Sequence, residues 1–260
     1  MKSELLFDVR GHVAVVTAGA DGLGFNMAEV MAANGARVVI LDVDALGIKT
    51  ALAKLGPEAE GHVVDVADTA AVKSAIDTAA AKYGRLDVVF ANAGIGAQPG
   101  IFIPEGHLEA VKLDEWEKVV RTNLTGTFVT IQAAATHMKP RRRGRIVVTS
   151  SIGGLGGQAQ MSYAYIATKA AVANLVRQAA LELAPYNVLI NGIAPGPIQT
   201  NISGGRLHDP EIAKRVGALL PLNRVGQPPE IKGLALLLAS PASSFMTGTV
   251  IPIDGGLTCS

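Results

Sequence analysis

Cysteine is nearly absent: the one thiol among 260 residues is Cys259, next to the last position. That excludes an internal disulfide framework and a cysteine-rich metal site. Excess charge is missing too, since 23 Lys and Arg against 22 Asp and Glu leave a net +1. No global field exists to hold nucleic acid or an anionic membrane. Long apolar runs are lacking. Leu234 to Ala239 is among the longest, far short of the ~20 residues of a membrane helix. The opening MKSELLFDVRG mixes Lys2, Glu4, Asp8 and Arg10 with short apolar segments and does not read as a signal peptide. The expectation is a cytoplasmic protein with no nucleic-acid or membrane partner. The histidines His12, His62, His107, His137 and His208 form no metal-spacing pair, so no metal is expected. The basic run from Lys139 to Arg145 reads as a solvated turn leading into a strand. No linker or internal repeat divides the chain, so residues 1–260 read as one domain.

What the chain has instead is apolar mass and glycine. Hydrophobic residues make up 49 % and charged ones 17 %, enough for a sizeable core. Glycine occurs 29 times, above the usual ~7 %. Strands are predicted at Val13–Thr17, Arg37–Leu41, His62–Asp65, Leu86–Phe90, Arg145–Thr149, Val188–Asn191 and Thr249–Ile253. Helices are predicted at about 25–33, 45–55, 68–83, 114–138, 162–183 and 228–238. Nearly continuous apolar strands alternating with helices imply a parallel sheet covered on both faces. The fold class is therefore α/β, a doubly wound Rossmann-type seven-stranded sheet. The longest irregular stretches, 95–113 and 200–210, are candidates for functional loops.

Between the first strand and first helix stands Thr17-Ala18-Gly19-Ala20-Asp21-Gly22-Leu23-Gly24. Glycines there let backbone amides reach a phosphate at the helix N-terminus, although a plain tight turn would use them too. Asp42 ends the second strand, 18 residues after Gly24, with no Lys or Arg following until Lys49. A carboxylate there can accept from ribose hydroxyls and would repel a 2′-phosphate, which favours NAD over NADP. The alternative is that Asp42 only solvates a strand end. Asp21 adds negative charge on the same side. Asp65 is either a partner for the adenine edge or a turn acid.

Ser162-Tyr163-Ala164-Tyr165-Ile166-Ala167-Thr168-Lys169 opens the longest helix. Tyr165 and Lys169 are four apart and share a face, whereas Tyr163 has Ala167 in that place. A free tyrosine titrates near ~10, so work as a base near neutral pH needs a drop of ~2–3 units. A nearby ammonium and a positively charged nicotinamide could supply it. A Tyr packed on a surface Lys has the same spacing. Ser151 ends the fifth strand beside Ser150, where a hydroxyl can reach a substrate oxygen. It is not a hydrolase nucleophile, because no G-x-S-x-G is present.

Together these segments resemble the short-chain dehydrogenase/reductase family over essentially the whole chain. The signatures run in the family's order: the glycine turn, Asn92-Ala93-Gly94, Asn123, Ser151 with Tyr165 and Lys169, and Pro195-Gly196-Pro197-Ile198-Gln199-Thr200. The resemblance implies that Tyr165 is the general acid/base and that Lys169 lowers its pKa and holds the nicotinamide ribose. It implies that Ser151 polarises the carbonyl. It gives Asn123 a proton-relay water, bound through a helix irregularity. Gly19, Asp21, Gly22, Leu23, Gly24, Asp42, Asp65, Val66, Asn92, Ala93, Gly94, Pro195, Gly196, Ile198 and Thr200 would contact the cofactor. Two departures stand out. Ala18 fills the family's usual first glycine, and Ser151 precedes Tyr165 by 14 residues where 13 is common.

The expected substrate surroundings are 152–158, 95–108 and 201–220, with Ser151, Gly153, Tyr165 and Phe102 as contact residues. Residues 200–220 would form a lid, hinged at Gly204-Gly205. The expected activity is NAD-dependent interconversion of a neutral, partly apolar secondary alcohol and its ketone. A sugar, polyol, steroid or cyclic dihydrodiol substrate is the alternative, and a non-catalytic NAD-binding regulator is a third reading. The resemblance also implies a homotetramer.

Overall fold

The computed structural model describes residues 3–96 and 99–259, so the part of the 95–108 stretch at 97 and 98 lies outside the described residues. Strands β1 (Val13–Thr17), β2 (Arg37–Asp42), β3 (Ala59–Val63), β4 (Val88–Ala91), β5 (Gly144–Thr149), β6 (Val188–Pro195) and β7 (Val250–Ile253) form one sheet. Its order is β3-β2-β1-β4-β5-β6-β7 and every pairing is parallel. The order reverses between β1 and β4, and in such sheets ligands bind in the crevice at the carboxyl ends of the strands beside that reversal.

The helices are α1 (Ser3–Leu6), α2 (Gly22–Ala33), α3 (Ala45–Leu55), α4 (Thr69–Tyr83), α5 (Leu113–Val119), α6 (Thr127–Arg141), α7 (Tyr163–Leu183), α8 (Pro210–Gly217) and α9 (Lys232–Ala239). Two apolar layers result. Val15, Leu41, Val89, Ile146 and Ile190 meet α4, α6 and α7 on one face. Val16, Ile40, Phe90, Val147 and Ile193 meet α2, α3 and α9 on the other. Alternate residues of each central strand serve opposite faces, which is why these strands read as unbroken apolar runs. Among the described residues no helix is long and apolar enough to cross a membrane.

Three local expectations need correction. The third strand runs Ala59–Val63 and not His62–Asp65. As the sheet's edge it is covered less, so Glu60 and His62 sit within it and the apolar pair Val63-Val64 misplaces it from sequence. The helix expected over 114–138 is interrupted by a π-helical turn, Val120–Gly126, between α5 and α6. The irregular stretch 200–210 is mostly a 3-10 helix, Ile202–His208, and it leads into the unforeseen α8, whose start carries an Asp209 cap and Pro210 in the first turn.

The basic run ends α6 and enters β5. Parallel topology gathers helix C-termini at this edge, where exposed carbonyls favour cations. Arg141 donates to Leu86 O, Arg142 to Pro185 O and Arg145 to Ser240 O, at 3.2, 2.7 and 2.8 Å. These guanidiniums serve the fold itself.

Ala18 adopts φ +50°, the left-handed region where an L-residue is strained by ~1–2 kcal/mol. Ala18→Gly should therefore stabilise the chain, by ~0.5–1 kcal/mol once glycine's added unfolded-state entropy is offset. Thermal unfolding should show Tm higher by ~1–3 °C. An unchanged or lower Tm would mean that the strain is relieved elsewhere.

Candidate active site

The glycine turn is held from three sides. Gly19 packs so closely on β2 that a Cβ would lie 2.7 Å from Ile40 Cγ2. At Gly24, the third residue of α2, a Cβ would lie 1.9 Å from Ala18 O, so the first turn of the helix accepts only glycine there. Gly22 has φ +56°. Asp42 holds the turn from β2, accepting from Ala20 N at 3.0 Å and from Asp44 N at 3.1 Å. A carboxylate has about four acceptor positions, so ribose hydroxyls can still donate to it. The amides of Gly22, Leu23 and Gly24 find no acceptor among the described residues. Free donors at a helix N-terminus, beside the sheet's reversal, fit a dinucleotide pyrophosphate.

After β4, the side chain of Asn92 is spent on the fold. Its amide donates to Thr17 O and Ala18 O, at 3.2 and 3.3 Å, and accepts from Thr149 Oγ1 at 2.9 Å. Thr17 Oγ1 accepts from the amides of Asn92 and Ala93. These bonds pin the ends of β1, β4 and β5 together. Asp65 lies in a turn beyond β3, exposed, accepting from Ala67 N at 2.8 Å, and Val66 beside it is buried.

Ser151, Tyr165, Lys169 and Asn123 come together beyond the carboxyl ends of β4 and β5. Helix α7 starts at Tyr163 with Ser162 as its cap, which buries Tyr165 and Lys169 one turn apart on the same face. Tyr163 is half exposed, as expected of the tyrosine without a lysine partner. The Ser151 hydroxyl lies beside the Tyr165 phenol, and the Lys169 ammonium is 5.7 Å from the phenol ring centre. Ser150 points away and donates to Lys169 O at 3.0 Å, so of the two serines only Ser151 faces the tyrosine. Gly94 leaves room for both neighbours: a Cβ there would be 3.2 Å from Lys169 Nζ and 3.5 Å from Asn123 Oδ1. Asn123 sits in the π-helical turn. Its side chain accepts from Ile95 N at 2.8 Å and donates to Ile95 O at 3.0 Å, fixing the loop that leaves Gly94.

Burial decides the ionisation. It pushes the Tyr165 phenol above its ordinary value, and the Ser151 hydrogen bond pulls it only part of the way back. The lowering expected from the ammonium and a positively charged nicotinamide belongs to the cofactor-loaded site; in the site as it stands, desolvation of a buried phenolate is the larger influence. Burial likewise pushes Lys169 down to about 8, with Thr149 O at 2.8 Å as its hydrogen-bond acceptor.

At the end of β6, Gly196 packs so tightly on Asp254 that a Cβ would lie 2.6 Å from its Cβ. Pro195 ends β6 and is buried, as is Ile198. Thr200 reaches the glycine turn, 3.7 Å from where a Gly22 Cβ would stand. Gly153 is buried beside Ser151. Phe102 does not join them: it is 76 % exposed, and its loop is tied to the site through Ile101 N and Ala159 O. Sequence reasoning missed Thr17, Thr149 and Asn201, which act through hydrogen bonds to partners remote in the chain and leave no spacing signal.

A doubly wound sheet with free helix amides at its reversal, and a buried Ser–Tyr–Lys set beside them, defines a dinucleotide-binding oxidoreductase architecture. The comparisons agree. The family profile described as enoyl-(acyl carrier protein) reductase matches residues 17–258. The cis-4-hydroxycyclohexanecarboxylate dehydrogenase of Sinomonas cyclohexanicum is 38 % identical over 249 residues, 95 % of this chain and 96 % of that protein. The sorbose reductase of Schizosaccharomyces pombe is 37 % identical over 257 residues, 96 % and 97 % of the two chains. A crystal structure from Beutenbergia cavernae is described provisionally as an NAD(P)-dependent gluconate 5-dehydrogenase with NADP bound at low occupancy. It superposes with a TM-score of 0.89 at 33 % identity, over 98 % of this chain and 100 % of that one. The chain belongs to the short-chain dehydrogenase/reductase family, whose members are oxidoreductases that use NAD or NADP.

Proposed function

We propose that the protein is an NAD-dependent oxidoreductase that interconverts a secondary alcohol and its ketone, with Tyr165 as general acid/base. The observation that carries this reading is the buried trio of Ser151, Tyr165 and Lys169, joined through Thr149 and Asn92 to the glycine turn that opens α2 with uncapped amides. When bound, the dinucleotide accepts or supplies the hydride and, in its oxidised form, brings a positive ring charge. The Ser151 hydroxyl donates to the substrate oxygen and holds it against the phenol. The Tyr165 oxygen takes the alcohol proton in oxidation and returns one in reduction. Lys169, with a positive charge near a phenolate, makes that transfer feasible close to neutral pH. Asn123, in its π-helical turn, is the residue assigned to carry protons onward from Lys169. Gly19, Gly22, Leu23 and Gly24 hold the pyrophosphate, Asp42 the adenosine ribose, Asp65 and Val66 the adenine, and Pro195, Gly196, Ile198 and Thr200 the nicotinamide.

Asp42 supports NAD over NADP, since its carboxylate stands at the end of β2 with no cation nearby in sequence. Asp42→Asn keeps an acceptor for Ala20 N and removes the charge. The ratio of kcat/KM for NAD to that for NADP should fall at least ~10-fold, one step of 1.4 kcal/mol. A wild-type preference for NADP would overturn the assignment.

A neutral, partly apolar substrate suits the walls: Ile101, Ile103, Leu155 and Ile202 are exposed on the loops around the cleft. The second reading, a cyclic hydroxy compound, sugar or polyol, is favoured by the two relatives named above. Residues 200–220 act as a lid over either. The chain works as a homotetramer in the cytoplasm. An open groove of about 510 Å³ on α6 and α7, lined by Leu124, Phe128 and Leu175, supports association of these helices between copies. Light scattering should give four chains per particle, and Phe128→Glu should give fewer.

A further inference from the structure

Among the described residues four α-helices have an aspartate at the cap position, and one of the four behaves differently. Asp44, Asp68 and Asp209 each cap their helix, accepting from amides of the first turn of α3, α4 and α8. Asp21 holds the cap position of α2 with a more extended backbone, φ −147° and ψ 172° against φ −71 to −90° and ψ 95 to 119° for the other three, and its carboxylate accepts no amide of that helix. It accepts instead from Asn201 Nδ2 at 2.6 Å, 180 residues along the chain. Asn201 is held in turn, its Oδ1 accepting from His208 Nε2 at 3.0 Å, which aims its Nδ2 at Asp21. Gly204 and Gly205, with φ +76° and +69°, fold the 202–208 segment back so that His208 reaches Asn201. A Cβ on Gly205 would lie 2.9 Å from His208 Cδ2.

We infer that Asn201 is a positioning residue that keeps the Asp21 carboxylate off the amides of α2. Lid closure and dinucleotide binding then form one equilibrium. With the lid docked, Asp21 is drawn aside and the amides of Leu23 and Gly24 stay free for a phosphate. With the lid away, Asp21 turns onto those amides as an ordinary aspartate cap. It then occupies the phosphate's donors and adds a like charge beside them. Because the coupling is reciprocal, a bound dinucleotide must tighten the lid as much as the lid tightens the dinucleotide. The inference rests on the proposed dinucleotide site at the glycine turn.

The test is a double-mutant cycle on the full chain, read by direct titration with NADH. Asn201→Ala should raise the Kd for NADH by ~5–50-fold. In an Asp21→Ala background the same change should leave Kd within about twofold, because no carboxylate remains to compete. Limited proteolysis of the lid gives a second readout: NADH should protect the wild type several-fold, and Asn201→Ala should abolish that protection. An equal loss of affinity in both backgrounds would overturn the latch, as would no loss in the first. A wild type that binds no dinucleotide at all would overturn the site itself, so the two failures are distinguishable. Unchanged thermal unfolding of the variants verifies that each is folded.

Discussion

Tyr165→Phe lowers kcat by ~10²–10⁴-fold, the usual contribution of one acid/base group, while the Kd for NADH stays within about twofold. The reason for the split is local. The phenol oxygen hydrogen-bonds with Ser151, and the side chain is otherwise packed in the first turn of α7. Phenylalanine keeps the ring packing and removes only the proton carrier. Ser151 retains its bond from Gly153 N, so its hydroxyl stays in place. A rise in KM with kcat unchanged would indicate that Tyr165 only binds substrate. Equal loss of NADH affinity would make it a structural residue.

Lys169→Met should have the second largest effect, and in opposite directions on two properties. Turnover should fall by ~10²-fold or more, because the cation that favours the phenolate is gone. Stability at neutral pH should rise. The folded chain holds Lys169 near 8, against ~10.4 for a free lysine, so folding carries the cost of burying its charge. Below pH 8 the amine is protonated in both states and that cost is present in full. Between about 8 and ~10.4 the unfolded chain binds a proton that the folded one does not, so this residue's contribution to stability rises with pH. The difference is up to ~3 kcal/mol, reduced by the lost bond to Thr149 O. Denaturant unfolding at pH 7 and pH 10 should give a methionine advantage that shrinks at the higher pH. The pH at which alcohol oxidation is half-maximal should also move up. A variant that is less stable at pH 7 would contradict the buried-charge account.

The doubly wound sheet was legible in the sequence because its central strands are covered on both faces. β1, β2, β4, β5 and β6 show as apolar runs, and glycine or aspartate marks the turns between them. β3 was misplaced because an edge strand carries Glu60 and His62 and has no full apolar face. The π-helical turn is invisible to a 3.6-residue periodicity, and the resemblance alone suggested an irregularity near Asn123. The proximity of Tyr165 and Lys169 follows from helical spacing. The ionisation of that pair did not, because it depends on how much of the molecule closes over it. Phe102 was expected at the substrate as part of the apolar 95–108 stretch, but the fold leaves it exposed. Asn201 drew none, since its partner is 180 residues away.

The most direct measurement mixes the chain with NAD and a panel of secondary alcohols and follows the absorbance of reduced nicotinamide. The panel should span cyclic hydroxy acids, polyols and hydroxysteroids. The account predicts saturable turnover with at least one of them, lost in Tyr165→Phe. NAD binding without turnover on any alcohol or ketone, or turnover that Tyr165→Phe leaves intact, would contradict it.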